Sequence, residues 1–214
     1  MIYPIYVLDT ETTGLNPKNN DIIEVCFWRD GEPESKTWHL KPVHPENIED
    51  EALAVNGHKK EDILHKTQYG RDTYREPCIV LPEIEAWLME DGAAAEDRII
   101  VGHNPDFDHD FLVECWGKQS SLENFPFGYW RENRDGSKRN IVSKVDTIDL
   151  VTLVDVCCNK RRKAHNLSAC VKAFKITKAQ AHRADGDVKM TKDLFEMIMA
   201  PLRAIFIEKF SDCY

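Results

Sequence analysis

The run Val7-Leu8-Asp9-Thr10-Glu11 constrains this chain more than any other feature. Apolar residues with strand-forming side chains lead directly into a carboxylate, and a second carboxylate follows two positions later. In extended backbone, residues i and i+2 face the same side, so Asp9 and Glu11 point together from the end of a strand. Two like charges at that separation raise each other's pKa unless a cation lies between them. A hard divalent cation with oxygen ligands removes that cost. For this pair taken alone, a solvated strand end carrying two chance acids is the alternative.

The surrounding pattern places this strand in a mixed sheet. Ile22 to Trp28 reads as a second strand, Asp30-Gly31 as a hairpin signal, and Lys36–Lys41 as a third strand, giving an antiparallel meander. Residues 46–65 predict two short helices around Asn56-Gly57. Leu81–Glu90 has helical spacing, with Pro82 suited to a first turn. Arg98 to Gly102 is a short buried-type strand, and Phe107, Phe111, Leu112 and Cys115 share one helical face. Helices are predicted over 147–157, 166–174 and 184–209. Strands first, then alternating helices and strands, define an α/β domain. Residues 66–80 and 117–143 read as irregular excursions.

Two further segments carry chemistry. In Val101-Gly102-His103-Asn104-Pro105-Asp106-Phe107-Asp108 an apolar strand again ends in a polar turn, with acids opening a helix. Acids there also serve as ordinary dipole complements, and Asp106, Asp108 and Asp110 cannot all be ligands. In His182-Arg183-Ala184-Asp185-Gly186-Asp187, a His and an acid precede the last long helix. Such a His can accept a proton from water near neutral pH; a capping Asp beside an exposed His is the alternative. Together, three acidic sites and one His supply the parts needed for two-metal phosphodiester cleavage.

In order and wording these three motifs resemble the DnaQ-like DEDDh 3′→5′ exonucleases. The wording is similar to that of the proofreading epsilon subunit of bacterial DNA polymerase III. The second motif places its ligand at Asp108, and the third keeps four residues between His182 and Asp187. The resemblance implies an RNase H-like fold, a five-stranded mixed sheet (three antiparallel strands, then two parallel) flanked by α-helices, with residues 1–214 forming a single exonuclease domain. It also implies two Mg²⁺ or Mn²⁺ ions held by Asp9, Glu11, Asp108 and Asp187, and His182 as general base. Thr12, Gly14 and Leu15 would lie against the terminal nucleotide. His103, Asn104, Glu51 and Asn56 are the remaining substrate-binding candidates; family members often carry His at the position of Asn56. The implied partner is a nucleic-acid 3′ end, with a polymerase acting in trans as a further possibility. Thr10-Glu11-Thr12-Thr13-Gly14 resembles the DNA-acting branch more than the oligoribonuclease branch. An RNA 3′ exonuclease is the alternative.

Composition limits other readings. Net charge of −9 has the wrong sign for a passive nucleic-acid binder, but acids gathered in a metal site contribute to that figure. Seven cysteines, with Cys157 and Cys158 adjacent, suggest no disulfide framework; a reducing, cytoplasmic compartment is expected. No run is long and apolar enough to span a membrane. Lys160-Arg161-Arg162-Lys163 is a dense basic run, and Tyr129-Trp130-Arg131 a candidate for base stacking. A non-catalytic binding scaffold would show a missing acid or His, and none is missing.

Overall fold

The computed structural model describes residues 3–65, 73–119, 125–132, 138–141, 147–158, 166–176 and 182–210. A five-stranded sheet is built from β1 (Ile5–Thr12), β2 (Ile22–Arg29), β3 (Lys36–His39), β4 (Ile99–Gly102) and β7 (Thr147–Asp149), in the order β3-β2-β1-β4-β7. The first three strands pair antiparallel, while β4 runs parallel to both β1 and β7. This is the expected mixed sheet. A separate two-stranded ribbon joins β5 (Tyr129–Glu132) and β6 (Lys138–Ile141).

Among the described residues are seven α-helices, α1 (Asp50–Asn56), α2 (Lys60–Leu64), α3 (Pro77–Met89), α4 (Pro105–Gln119), α5 (Leu150–Cys158), α6 (Leu167–Ala173) and α7 (Ala184–Phe210), and two short 3-10 helices, Pro45–Asn47 and Ala95–Asp97. Gly57, at φ 74°, ends α1 in the left-handed region that favours glycine. Among the described residues, no helix is long and apolar enough to cross a membrane.

Both faces of the sheet are covered, because β1 and β2 are apolar on both sides. Tyr6, Leu8, Val25 and Phe27 pack with Val80, Ile84, Leu88, Phe111 and Trp116 from α3 and α4. Val7, Cys26, Trp28 and Val101 pack on the other face with Val154, Cys170, Val188 and Phe195. Trp28, Trp87 and Trp116 are core residues.

The structure corrects several boundaries. Residues 147–149 form the fifth strand, and their helix starts only at Leu150. A strand of three residues is too short for its alternation to stand out against the helical pattern that follows. The helix assigned from Leu81 starts four residues earlier, at Pro77, which takes the first-turn role given to Pro82. Pro82 lies inside the helix on its exposed face, where the Cys78 carbonyl that it cannot bond is open to hydration. The 66–80 excursion thus loses residues 77–80 to α3, and Arg75 bridges to Leu40 beside β3. In the 117–143 excursion, α4 reaches Gln119 and the β5–β6 ribbon follows. Lys160 to Lys163 lie outside the described residues, as do the side chains of Tyr129, Trp130 and Arg131.

Phe27 is fully buried and stacks on Phe127 at 5.9 Å. Phe27→Ala is expected to lower unfolding free energy by about 3–5 kcal/mol, the usual cost of deleting a buried ring. Urea denaturation checks this, and a loss under 1 kcal/mol would contradict the assigned core.

Candidate active site

Alternation along β1 sets the site. Val7 faces α7, so Asp9 and Glu11, two and four residues on, follow onto that side. There they meet Asp187 from the first turn of α7. One carboxylate oxygen from each of the three lies within 4.8 Å of the other two. Asp108 enters from the first turn of α4 and is 3% exposed. Its Oδ1 accepts the Thr10 backbone N–H at 2.9 Å and the Thr10 hydroxyl at 2.7 Å. Asp106 and Asp110 are exposed.

The electrostatics are those of a crowded anionic site. Burial, then the charges of Asp108, Glu11, Asp187 and Glu24, raises Asp9 well above the carboxylate range. Burial, with Asp187, Glu24 and Asp108, pushes Glu11 up to about 8. For Asp108, burial outweighs the two Thr10 hydrogen bonds, and its pKa is also raised. Without a counter-cation, then, the cluster cannot hold its full charge at neutral pH. Its donors are all oxygens, the set that suits hard divalent ions such as Mg²⁺ or Mn²⁺.

His182 is exposed and holds a left-handed backbone at φ 60°. Its backbone N–H donates to Asp187 Oδ2 at 3.1 Å, which places it beside the cluster. Asn104 adopts the same region at φ 63°, its N–H 3.4 Å from Asp149 Oδ1. Non-glycine residues in this region store strain that concentrates at functional sites. His103 is half-buried, its Nδ1 has no hydrogen-bond partner among the described residues, and burial lowers its pKa.

Next to the acids opens a cavity of about 310 Å³, lined by Thr10, Glu11, Thr12, Gly14, Leu15, Glu49, Glu51, Ala52, Val55, Asn56 and Phe107. Leu15 projects into solvent, 77% exposed. The loop beneath it is tightly built. Thr12 Oγ1 donates to the Gly14 carbonyl at 2.6 Å, and a methyl group on Gly14 would overlap the Asn20 amide and the Glu49 carboxylate. Asn56 lines the cavity, but its amide is engaged: Nδ2 donates to the Thr12 carbonyl at 3.1 Å and Oδ1 accepts the His58 N–H at 3.2 Å. Glu51 stands exposed at the rim.

Sequence reasoning missed Glu49, Val55 and Phe107 as lining residues, since nothing in a linear pattern brings α1 and α4 together. It also missed Thr10 as the partner of Asp108, and Glu24. The side chain of Glu24 is 0% exposed and lies 3.2 Å from His39 Nε2, 3.0 Å from His58 Nε2 and 3.1 Å from Arg183 Nη2. Burial pushes its pKa up, but His39, His58 and Arg183 prevail and hold it far below the carboxylate range. The signal was present: a carboxylate inside the apolar run Ile22-Ile23-Glu24-Val25-Cys26 requires buried partners.

A β3-β2-β1-β4-β7 mixed sheet between helical layers, with acids gathered at the end of its central strand, is an RNase H-like nuclease architecture. In agreement, solved E. coli exonuclease I in complex with a dT13 oligonucleotide superposes with a TM-score of 0.67 at 16% identity, over 95% of this chain and 42% of that one. An exonuclease family profile matches residues 6–195, and the chain belongs to this DnaQ-like DEDDh family of exonucleases. Ribonuclease T of Yersinia enterocolitica is 30% identical over 133 residues, covering 58% of this chain and 59% of that protein. Ribonuclease T of Photorhabdus laumondii is 27% identical over 206 residues, covering 92% and 83%. DNA polymerase III PolC-type of Thermotoga maritima is 25% identical over 207 residues, covering 96% of this chain but 12% of that protein.

The acid cluster makes stability depend on pH. Glu11 binds its proton more tightly in the folded chain, so protonation favours folding. That stabilisation is complete below its ordinary value of 4.5 and is lost as pH rises to about 8; Asp9 and Asp108, also raised, act in the same direction. The metal-free protein should therefore melt lower at pH 8.5 than at pH 5.5, and excess Mg²⁺ should flatten the difference. A metal-free Tm that is level or rising across that range would contradict this electrostatic account.

Proposed function

We propose that this protein is a two-metal 3′→5′ exonuclease that releases nucleoside 5′-monophosphates, with DNA ends as preferred substrate. The convergence of Asp9, Glu11 and Asp187 oxygens within 4.8 Å, from opposite ends of the chain, carries the reading. Asp9, Glu11, Asp108 and Asp187 are the residues that would hold Mg²⁺ or Mn²⁺. Bound there, such ions supply Lewis acidity that activates a water and offsets charge on the reacting phosphate. His182 takes the proton from that water; its exposed position beside Asp187 suits a group that must exchange protons with solvent.

The cavity beside the acids receives the terminal nucleotide. Leu15, Val55 and Phe107 offer apolar surface for a base, and Thr12 and Gly14 line the same cavity on the side where the 3′-hydroxyl would lie. His103, Asn104 and Glu51 border the path of the strand. Glu49 and Asn56 hold the loop rather than the nucleotide, through their contacts to Asn20 and Thr12. The DNA preference rests on the Thr10 to Gly14 wording. Hydrolysis of RNA 3′ ends is the second reading, favoured by relatives named Ribonuclease T. A PolC-type relative is consistent with action beside a polymerase held in trans.

Digestion of 3′- and 5′-labelled single- and double-stranded DNA and RNA, with Mg²⁺, Mn²⁺ or chelator, tests polarity, sugar preference and metal need together. Asp9→Ala should abolish turnover while the protein stays folded. His182→Ala should lower turnover by roughly 10²–10⁴-fold, the usual worth of a positioned general base. Cleavage that persists in chelator, or an Asp9→Ala variant with most of its turnover, would refute the assignment.

A further inference from the structure

Glu24 stands on β2 directly opposite Glu11, buried between two parts of the site. On one side, its Oε1 accepts the Ala184 N–H at 3.0 Å. That N–H opens α7, where the first turn has no intrahelical acceptors. Arg183, one residue earlier, brings Nη2 to 3.1 Å from Oε2. These two residues carry the flanking site groups with them: the Asp187 N–H donates to the Arg183 carbonyl at 2.9 Å, and the His182 N–H donates to Asp187 Oδ2. A shift of Arg183-Ala184 would thus move both His182 and Asp187.

On the other side, Oε2 lies between His39 and His58. His58 is buried and its Nδ1 is hydrogen-bonded to the Tyr74 hydroxyl. Its backbone N–H is bound by Asn56, whose amide holds the end of β1 at Thr12. One carboxylate therefore connects the start of α7 to the lip of the nucleotide cavity. Electrostatic support of the acids is not its role, because its negative charge adds to the repulsion on Asp9 and Glu11. What it supplies is placement.

We infer that Glu24 is a positioning residue: through Ala184 and Arg183 it sets the α7 entry so that Asp187 and His182 face Asp9 and Glu11. The inference rests on the nuclease reading above. Losing an outer partner of a metal-holding carboxylate typically costs 10–100-fold in affinity or rate.

Glu24→Gln keeps the side chain's size and an acceptor for Ala184 but removes the charge that holds Arg183. In the full chain, turnover of a 3′-labelled oligonucleotide by E24Q should fall about 10–100-fold with KM held within about threefold. Mn²⁺ titration of the free protein, followed by electron paramagnetic resonance, should show affinity weakened about 10-fold. A merely structural role would lower Tm and leave both values, per folded molecule, at those of the parent; that outcome overturns the proposal. If E24Q does not fold, Arg183→Met, which breaks the same link from the solvent side, is expected to show the same two losses, and parental values for it overturn the proposal equally. A parent that cleaves no labelled end would sink the nuclease reading, while the Mn²⁺ comparison would still decide the placement.

Discussion

Repulsion among carboxylates at the end of β1 sets the terms for the rest of this structure. Asp9, Glu11 and Asp187 gather their oxygens in a half-buried position, and buried Asp108 stands close enough to raise Asp9 further. Such an arrangement opposes folding unless surrounding contacts over-determine it. Those contacts are visible: two Thr10 hydrogen bonds fix Asp108, the His182 N–H restrains Asp187, and a sheet covered on both faces anchors β1. Affinity for divalent cations is the direct counterpart of that strain.

Topology then brings the other parts to the same edge. β4 and β7 end together, one residue past the Val7–Val101 pair, while β1 runs on to Thr12, so Asp149 and the polar turn at Asn104 lie beside the acid-bearing end of β1. Ligand sites of α/β sheets form where parallel strands end. The antiparallel pair β2–β3 contributes differently. It carries Glu24 and His39, side chains that support the site from within.

Much of this was legible in the linear chain because the controlling signals are local. Asp9 and Glu11 declare themselves by spacing, and the meander by Asp30-Gly31. The motif at His182 keeps its four-residue gap. Family resemblance selected Asp108 over Asp106; the structure buries Asp108 against Thr10 and leaves Asp106 exposed. Long-range pairings were less visible. β7 is only three residues long, and nothing in Thr147-Ile148-Asp149 distinguishes a strand from the first turn of a helix. Asn56 resembled a residue that touches substrate, yet its amide bonds Thr12 and His58. Glu24 has its partners in three separate segments, at His39, His58 and Arg183, which no local pattern brings together.

The alternation of β1 has an evolutionary corollary. Tyr6 and Leu8 lie on one side of the sheet and Val7 on the other, with both sides packed. A single-codon insertion or deletion between Val7 and Asp9 would rotate the downstream acids away from α7 and bury them in the apolar layer under α3 and α4. Length drift in this segment is therefore confined to even steps, and only where β2 and β4 can slide with it. The strand that carries the chemistry should be among the least length-variable parts of any descendant that keeps the activity.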